Sequence, residues 1–279
     1  MLHLVTDSTS DLLAEGARRL DITVVPLTVR FGEEQFRDGV DIDSTTFYRR
    51  LATATALPTT SQPSPEQFAE VYRSLLRSPD DEVVSIHLPA HLSGTMQSAT
   101  LAAREVDEKR VRVVDSWTVS GGLQLLLHAA ARERDEGADA ATVVRNLERR
   151  RERVTCYVLL DTITYLHKGG RIGRAQAFIG GVLNVKPIVS VERGEVGPAA
   201  RVRNRQQGVA KLLELVRGNG PLESITTMHG DAGEAATEFR SRLTALLPEL
   251  EIPPLEQLGP VVGTYAGPGS VGVAVLRAG

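Results

Sequence analysis

Two hydroxyl-rich turns hold the residues best suited to chemistry. One reads Leu57-Pro58-Thr59-Thr60-Ser61-Gln62-Pro63-Ser64-Pro65, the other Leu92-Ser93-Gly94-Thr95-Met96-Gln97-Ser98-Ala99. Each places small hydroxyl donors ahead of a helical pattern. Free backbone N–H groups at a helix start, with hydroxyls beside them, make a site for an anion. Neither turn contains lysine, which points to one small anion such as a carboxylate rather than a polyphosphate. The same residues could equally serve as helix caps.

Ser93 follows a strand pattern and opens a helix, the placement of a nucleophilic serine. Its context is Ser-Gly-Thr, however, and lacks the Gly-x-Ser-x-Gly elbow. His87 and His91 are near in sequence, but no Ser–His–acid set is visible. A Ser-dependent acyl hydrolase using Ser93 is therefore kept as the alternative reading. The segment Lys168-Gly169-Gly170-Arg171-Ile172-Gly173 matches neither a Walker loop nor a dinucleotide fingerprint. Its glycines either end the helix containing Tyr165-Leu166-His167 or present Arg171 to an anion. Cys156 lies in an apolar run, as expected of a buried thiol. No metal-ligand spacing occurs, and Asp7, Asp38, Asp41 and Asp115 read as caps and turns. With neither a metal nor a nucleotide motif, the chain alone is expected to need no cofactor and to turn over no ATP.

The chain of 279 residues is 42% hydrophobic with a formal net charge of −3, enough apolar material for two cores. Nothing suggests a nucleic-acid partner: the basic run Arg145 to Arg153 is broken by Glu148 and Glu152 and reads as a solvated helix face. A single cysteine excludes an intrachain disulfide. The first residues, Leu2 to Thr6, read as a strand rather than a leader, and no apolar stretch is long enough to span a membrane. A cytoplasmic protein is expected.

The elements that must position these residues alternate in the first half. Leu2–Thr6, Val83–Ile86 and Val111–Val114 read as strands. Each is followed by a polar turn and a helix: from the caps Asp7–Ser10 through Leu20, from Ser93-Gly94 through Glu105, and over Gly121–Glu133. That order implies a parallel sheet with its ligand crevice beyond the carboxyl ends of the strands. Between the first two units, residues 23–44 read as a small β excursion, with Thr23–Phe31 turning at Gly32-Glu33-Glu34 into Gln35–Val40. A helix over Thr45–Ala54 follows. The helix Ala140–Arg153 leads into a second half with strands at Tyr157–Leu160, Val185–Val191, Val196–Val202, Ser224–His229, Val261–Tyr265 and Val271–Leu276. Helices lie at Gln206–Arg217 and Gly233–Leu246. Glu192-Arg193-Gly194-Glu195 reads as a hairpin turn. The expected fold is α/β in two domains. Residues 1–153 form an N-terminal parallel α/β domain, and residues 154–279 a C-terminal α+β domain with a mixed or antiparallel sheet. The ligand lies between them.

Along nearly its whole length the sequence resembles the DegV family. The matching stretches are Thr6-Asp7-Ser8-Thr9-Ser10-Asp11-Leu12, Asp38-Gly39-Val40-Asp41-Ile42, Thr60-Ser61-Gln62-Pro63-Ser64-Pro65 and Ser93-Gly94-Thr95. They continue with Val114-Asp115-Ser116, Tyr165-Leu166-His167-Lys168-Gly169-Gly170-Arg171-Ile172, Lys186-Pro187-Ile188 and Gly267-Pro268-Gly269. The resemblance implies a fold that buries one long-chain fatty acid between two domains. It also implies a role as the fatty-acid-binding subunit of a bacterial fatty acid kinase. A separate ATP-binding kinase subunit would phosphorylate the bound carboxylate to an acyl phosphate for phospholipid synthesis, which admits transient membrane contact. By motif position, Thr60 and Ser93 would hold the carboxylate, with Ser61 and Arg171 secondary. The family often has histidine in a His-x-Gly-Pro-Gly pattern. Here Tyr265 occupies that place, a phenol that donates a hydrogen bond but does not protonate as imidazole does. Such a ligand needs an apolar tunnel, for which Phe178-Ile179-Gly180-Gly181-Val182-Leu183 is a candidate lining. Ordinary core packing is the other reading of that run.

Overall fold

The computed structural model describes residues 1–12, 14–179 and 185–279. The chain opens with β1 (Leu2–Asp7), a 3-10 turn over Ser8–Ser10, α1 (Ala14–Arg19) and β2 (Ile22–Val25). Next come β3 (Thr28–Phe31), β4 (Glu34–Arg37), α2 (Ser44–Thr53) and β5 (Thr59–Ser61). Then α3 (Pro65–Leu75) leads to β6 (Glu82–His87), and α4 (Thr95–Val106) to β7 (Val111–Asp115). Two helices follow, α5 (Gly121–Asp135) and α6 (Ala140–Arg151).

β2-β1-β6-β7 form a four-stranded, wholly parallel sheet. β4-β3-β5 form a separate small antiparallel sheet.

The second half starts with β8 (Val154–Leu159), α7 (Thr164–Lys168), a 3-10 segment over Gly173–Phe178, β9 (Lys186–Glu192) and β10 (Glu195–Val202). It continues with α8 (Arg205–Gly218), β11 (Leu222–Gly230), α9 (Gly233–Leu246), β12 (Glu256–Gln257), α10 (Pro260–Ala266) and β13 (Ser270–Arg277). Its six strands run β10-β9-β8-β13-β11-β12, antiparallel except for the parallel β11–β12 pair. The hairpin turn needs a left-handed backbone at both central residues, and Arg193 and Gly194 have φ of 50° and 81°.

The layers follow from which faces are apolar. α3 and α4 cover one face of the parallel sheet, burying Phe68, Tyr72, Ala99 and Ala102 on Val5 and Val83. α8 and α9 cover the outer face of the mixed sheet with Leu212, Val216, Phe239 and Leu243. α5 lies between the sheets, its Leu126 and Leu127 in one cluster with Ile86 of the first sheet and Cys156 and Ala274 of the second. Each such side chain contributes about 1.5–3 kcal/mol by leaving water. The contact is close at Gly121, where a Cβ would fall 2.7 Å from the Thr226 methyl and 3.4 Å from Ala274.

The α/β class with a parallel sheet followed by a mixed sheet is as expected from the sequence, with local corrections. Residues 22–25 join the parallel sheet as an edge strand instead of starting the excursion. The helix expected to begin at Asp7–Ser10 begins at Ala14, because Asp7 caps the 3-10 turn through the Thr9 N–H. Thr60 and Ser61 lie in a strand, not at a helix start, and Ser64 is the residue that caps α3. Val261–Tyr265, expected as a strand, is the body of α10.

Candidate functional site

The seam between the two sheets contains a cavity of about 660 Å³, its open mouth included. The mixed sheet supplies Val158, Leu160, Val189, Val191 and Val196. Loops at the carboxyl ends of the parallel strands supply Thr9, Leu88, Leu92 and Val119, where open α/β sheets take their ligands. α10 supplies Val261, Val262, Tyr265 and Ala266, and α7 supplies Leu166. The wall is almost entirely apolar. Even Thr9 turns its hydroxyl away, donating it to Asp7 at 2.5 Å.

The polar groups beside the cavity cluster on Tyr265. The Thr60 and Tyr265 hydroxyls are 2.5 Å apart. The Arg171 guanidinium lies 5.2 Å from the centre of the Tyr265 ring, a cation–π placement. Arg171 is held by the backbone, donating from Nη1 to the Gly169 carbonyl at 2.9 Å and from Nε to the Leu92 carbonyl at 3.3 Å. Gly169 is small for a reason: a Cβ there would lie 2.6 Å from the Tyr265 ring. The glycine run after α7 therefore seats Tyr265 as well as ending the helix.

Ser93 is half-buried one residue beyond Leu92. Its hydroxyl is 2.9 Å from that of Thr95 and accepts the Thr95 N–H at 3.3 Å. The two hydroxyl-rich turns meet here, since a Cβ at Gly94 would lie 2.6 Å from the Gln62 amide nitrogen. Thr60 and Arg171 thus meet at Tyr265, from β5, the loop after α7 and α10, while Ser93, in the turn before α4, shares the adjoining polar cleft with Arg171. Ser61 does not join them. It pairs with Thr28 in the small sheet, is exposed, and alternation along β5 points it away from the face of Thr60.

Beyond Arg171 the site widens into a polar cleft of about 1060 Å³ that includes His91, Ser93, Arg174 and Glu195. The β9–β10 turn is held over it by a bond from the Gly194 N–H to the Trp117 carbonyl.

Among the described residues Ser93 has only Thr95 as a side-chain hydrogen-bond partner, and no imidazole is bonded to it. A Ser–His–Asp chain does occur elsewhere. The Ser85 hydroxyl is 2.7 Å from His87 Nε2, and His87 Nδ1 is 2.9 Å from Asp7. All three are fully buried, and Tyr72 donates to Ser85 from the other side. The array ties β1 to β6 and is closed to a substrate.

The valine wall of the mixed sheet was not singled out from the sequence, although its period of two is legible at 158 and 160 and at 189 and 191. Thr9 and Val119 carry no such signal, being single loop residues. The run 178–183 lies outside the described residues from Gly180 onward. Phe178 packs under the Arg201 guanidinium and is not among the described lining residues. Among the described residues no cluster of three metal-ligating side chains occurs. None of the described helices is long and apolar enough to cross a membrane.

The family model described as "Uncharacterised protein, DegV family" matches residues 1–278. A DegV domain-containing protein of Streptomyces coelicolor is 38% identical over 274 residues, 98% of this chain and 97% of its own. Among solved structures, a DegV family protein from Thermus thermophilus, described by its fatty acid binding, is 36% identical. It superposes with a TM-score of 0.93 over 99% of each chain. A stearic-acid-binding protein from Eubacterium ventriosum is 27% identical, with a TM-score of 0.91 over 99% of this chain and 98% of its own.

Proposed function

The chain belongs to the DegV family, and we propose that it binds one long-chain fatty acid, with the tail in the seam and the carboxylate at the Thr60–Tyr265–Arg171 end. The observation that carries this reading is the make-up of the cavity: an apolar wall that includes Tyr265 and Arg171, with the Thr60 hydroxyl on that of Tyr265. Each buried methylene contributes about 0.8 kcal/mol, so the tail supplies most of the affinity. The polar end keeps the carboxylate from being buried unpaired. The relatives described as fatty-acid-binding support the same reading.

Thr60, Ser93, Arg171 and Tyr265 are the proposed carboxylate contacts. Ser61 is proposed only as a neighbour that shapes β5. The protein acts without catalysis of its own, in the cytoplasm. An ATP-binding kinase subunit approaches through the polar cleft beside Arg171 and phosphorylates the carboxylate. Residues 1–153 and 154–279 are the proposed domains, and the ligand lies between them.

The test is lipid extraction from natively purified protein, followed by mass spectrometry. About one acyl chain per polypeptide is expected. Extraction that yields no acyl chain, together with no binding of added oleate or palmitate, would falsify the reading. Acyl-phosphate formation should require ATP and the kinase subunit together. Formation by this chain with ATP alone would refute the division of labour.

A further inference from the structure

At the start of α10, two buried carboxylates meet one stretch of backbone. Asp11 follows the 3-10 turn after β1, and Asp38 follows β4. They are 6% and 5% exposed. Asp11 Oδ1 accepts the Gly259 N–H at 2.9 Å, and Asp38 Oδ2 accepts the Val261 N–H at 3.4 Å. A Cβ at Gly259 would lie 2.8 Å from Asp11 Oδ1 and 3.2 Å from Asp38 Oδ1, so the pair brackets the first turn of α10. Asp11 Oδ2 and the Ser120 hydroxyl are both buried, and Ser120 is the hydrogen-bonding side chain beside Asp11.

We propose that Asp11 and Asp38 form a proton-linked latch that grips α10 across the seam while Asp38 is protonated and loosens it when Asp38 ionises.

The chemistry is that of two like charges confined together. A proton on Asp38 removes its repulsion with Asp11 and with Asp7. Burial raises Asp38 to about 7, and the charge of Asp7 on β1 adds to this, against hydrogen bonds from Ser8 and the Val261 N–H. Burial also raises Asp11 well above the carboxylate range, with further upward pushes from Asp38 and from Glu256 on β12, against hydrogen bonds from Ser120 and the Gly259 N–H. No arginine or lysine contributes to either shift. The other groups facing the pair are Arg18 of α1 and Asp43 before α2, which line the same cleft. Tyr48 of α2 and Cys156 of β8 are also near enough to feel Asp11.

The sign follows directly. Asp38 binds its proton more tightly in the fold than in the unfolded chain, so its stabilisation is full below the ordinary carboxylate pKa of about 4. It is lost as the pH rises through about 7. The grip on α10 is firmer at about pH 6 than at about pH 8. What α10 carries makes this consequential: Val261, Val262, Tyr265 and Ala266 wall the cavity. Ser120, beside the pair, donates its N–H to the Thr9 carbonyl, and its neighbour Val119 lines the cavity too. Resting on the fatty-acid reading above, a loosened α10 also lowers the affinity for the acyl chain.

The test has two arms. In the first, hydrogen exchange of the delipidated protein is measured at about pH 6 and about pH 8 and corrected for intrinsic rates. The amides of Gly259 and of residues 261–265 should be protected roughly tenfold more at the lower pH. In Asp38→Asn, which keeps an acceptor but carries no charge, protection should be the same at both. Carbon-13 titration of the wild-type carboxyl groups needs no variant, and at least one of the pair should titrate above about pH 6. Protection independent of pH, or both carboxyls titrating below about pH 5, overturns the latch. In the second arm, oleate should bind the wild type about three- to tenfold more tightly at pH 6.5 than at pH 7.5, relative to Asp38→Asn. Equal pH dependence in the two proteins overturns the coupling. Failure of oleate to bind at any pH, with the exchange result intact, rejects the fatty-acid reading and leaves the latch standing.

Discussion

Tyr265 joins three parts of the site: its hydroxyl meets Thr60, its ring lies under Arg171, and its edge packs on Gly169. Tyr265→Phe should keep the ring and lose the donor, weakening oleate binding by about 0.5–1.5 kcal/mol. Tyr265→His should introduce a pH dependence between about pH 5.5 and 7.5 that the wild-type headgroup contact lacks. Identical affinities for all three proteins across that range would place Tyr265 outside the site. Thr60→Ala and Ser93→Ala should each cost about 1.5–3 kcal/mol of binding, the worth of a hydrogen bond to a charged group. Unchanged calorimetric affinity in the double variant would remove both from the headgroup. Cys156 is a contrasting case. Burial pushes its thiol up to about 12, so it should resist thiol reagents at neutral pH until the protein unfolds. Rapid labelling of the native protein would show that β8 opens.

The element that decides the site is α10. Val261-Val262-Gly263-Thr264-Tyr265 has the composition of a strand, since β-branched and aromatic residues favour one. It is a helix because tertiary partners favour helix more strongly. Pro260 sits at its first position, where a missing N–H costs nothing. Asp11 takes the Gly259 N–H, Asp38 takes the Val261 N–H, and Thr264 returns its hydroxyl to the Pro260 carbonyl. The helix ends at Gly267 with φ 71°, and a Cβ there would fall 2.3 Å from the Tyr165 ring. Gly267→Ala should therefore destabilise the fold by about 1–3 kcal/mol for the left-handed backbone alone, and by more because Tyr165 must move. Urea denaturation reads this, and a loss under about 0.5 kcal/mol would mean that Tyr165 yields freely.

Across the whole molecule, the two sheets share one core through α5, so they are expected to unfold together. A ligand seated in their seam stabilises both by binding only the folded state. At oleate about a hundredfold above its Kd, delipidated protein should gain about 2.7 kcal/mol against denaturant in a single transition. A second transition indifferent to oleate would show that one sheet folds independently of the seam.

The sequence alone determined the local pieces: the strand–turn–helix units of the parallel sheet, the Arg193-Gly194 hairpin and the burial of Cys156. Each is written in contiguous residues, through periodicity, caps and turn chemistry. The tertiary structure decided which pieces meet. Thr60 and Tyr265 are 205 positions apart and Asp11 and Gly259 are 248 apart, so no local signal pairs them. It also decided where local preference lost. Ser61 shares its motif with Thr60 but points away because a strand alternates its faces. Residues 261–265 became a helix because two distant carboxylates accept N–H groups from its first turn, which no propensity of those five residues could specify.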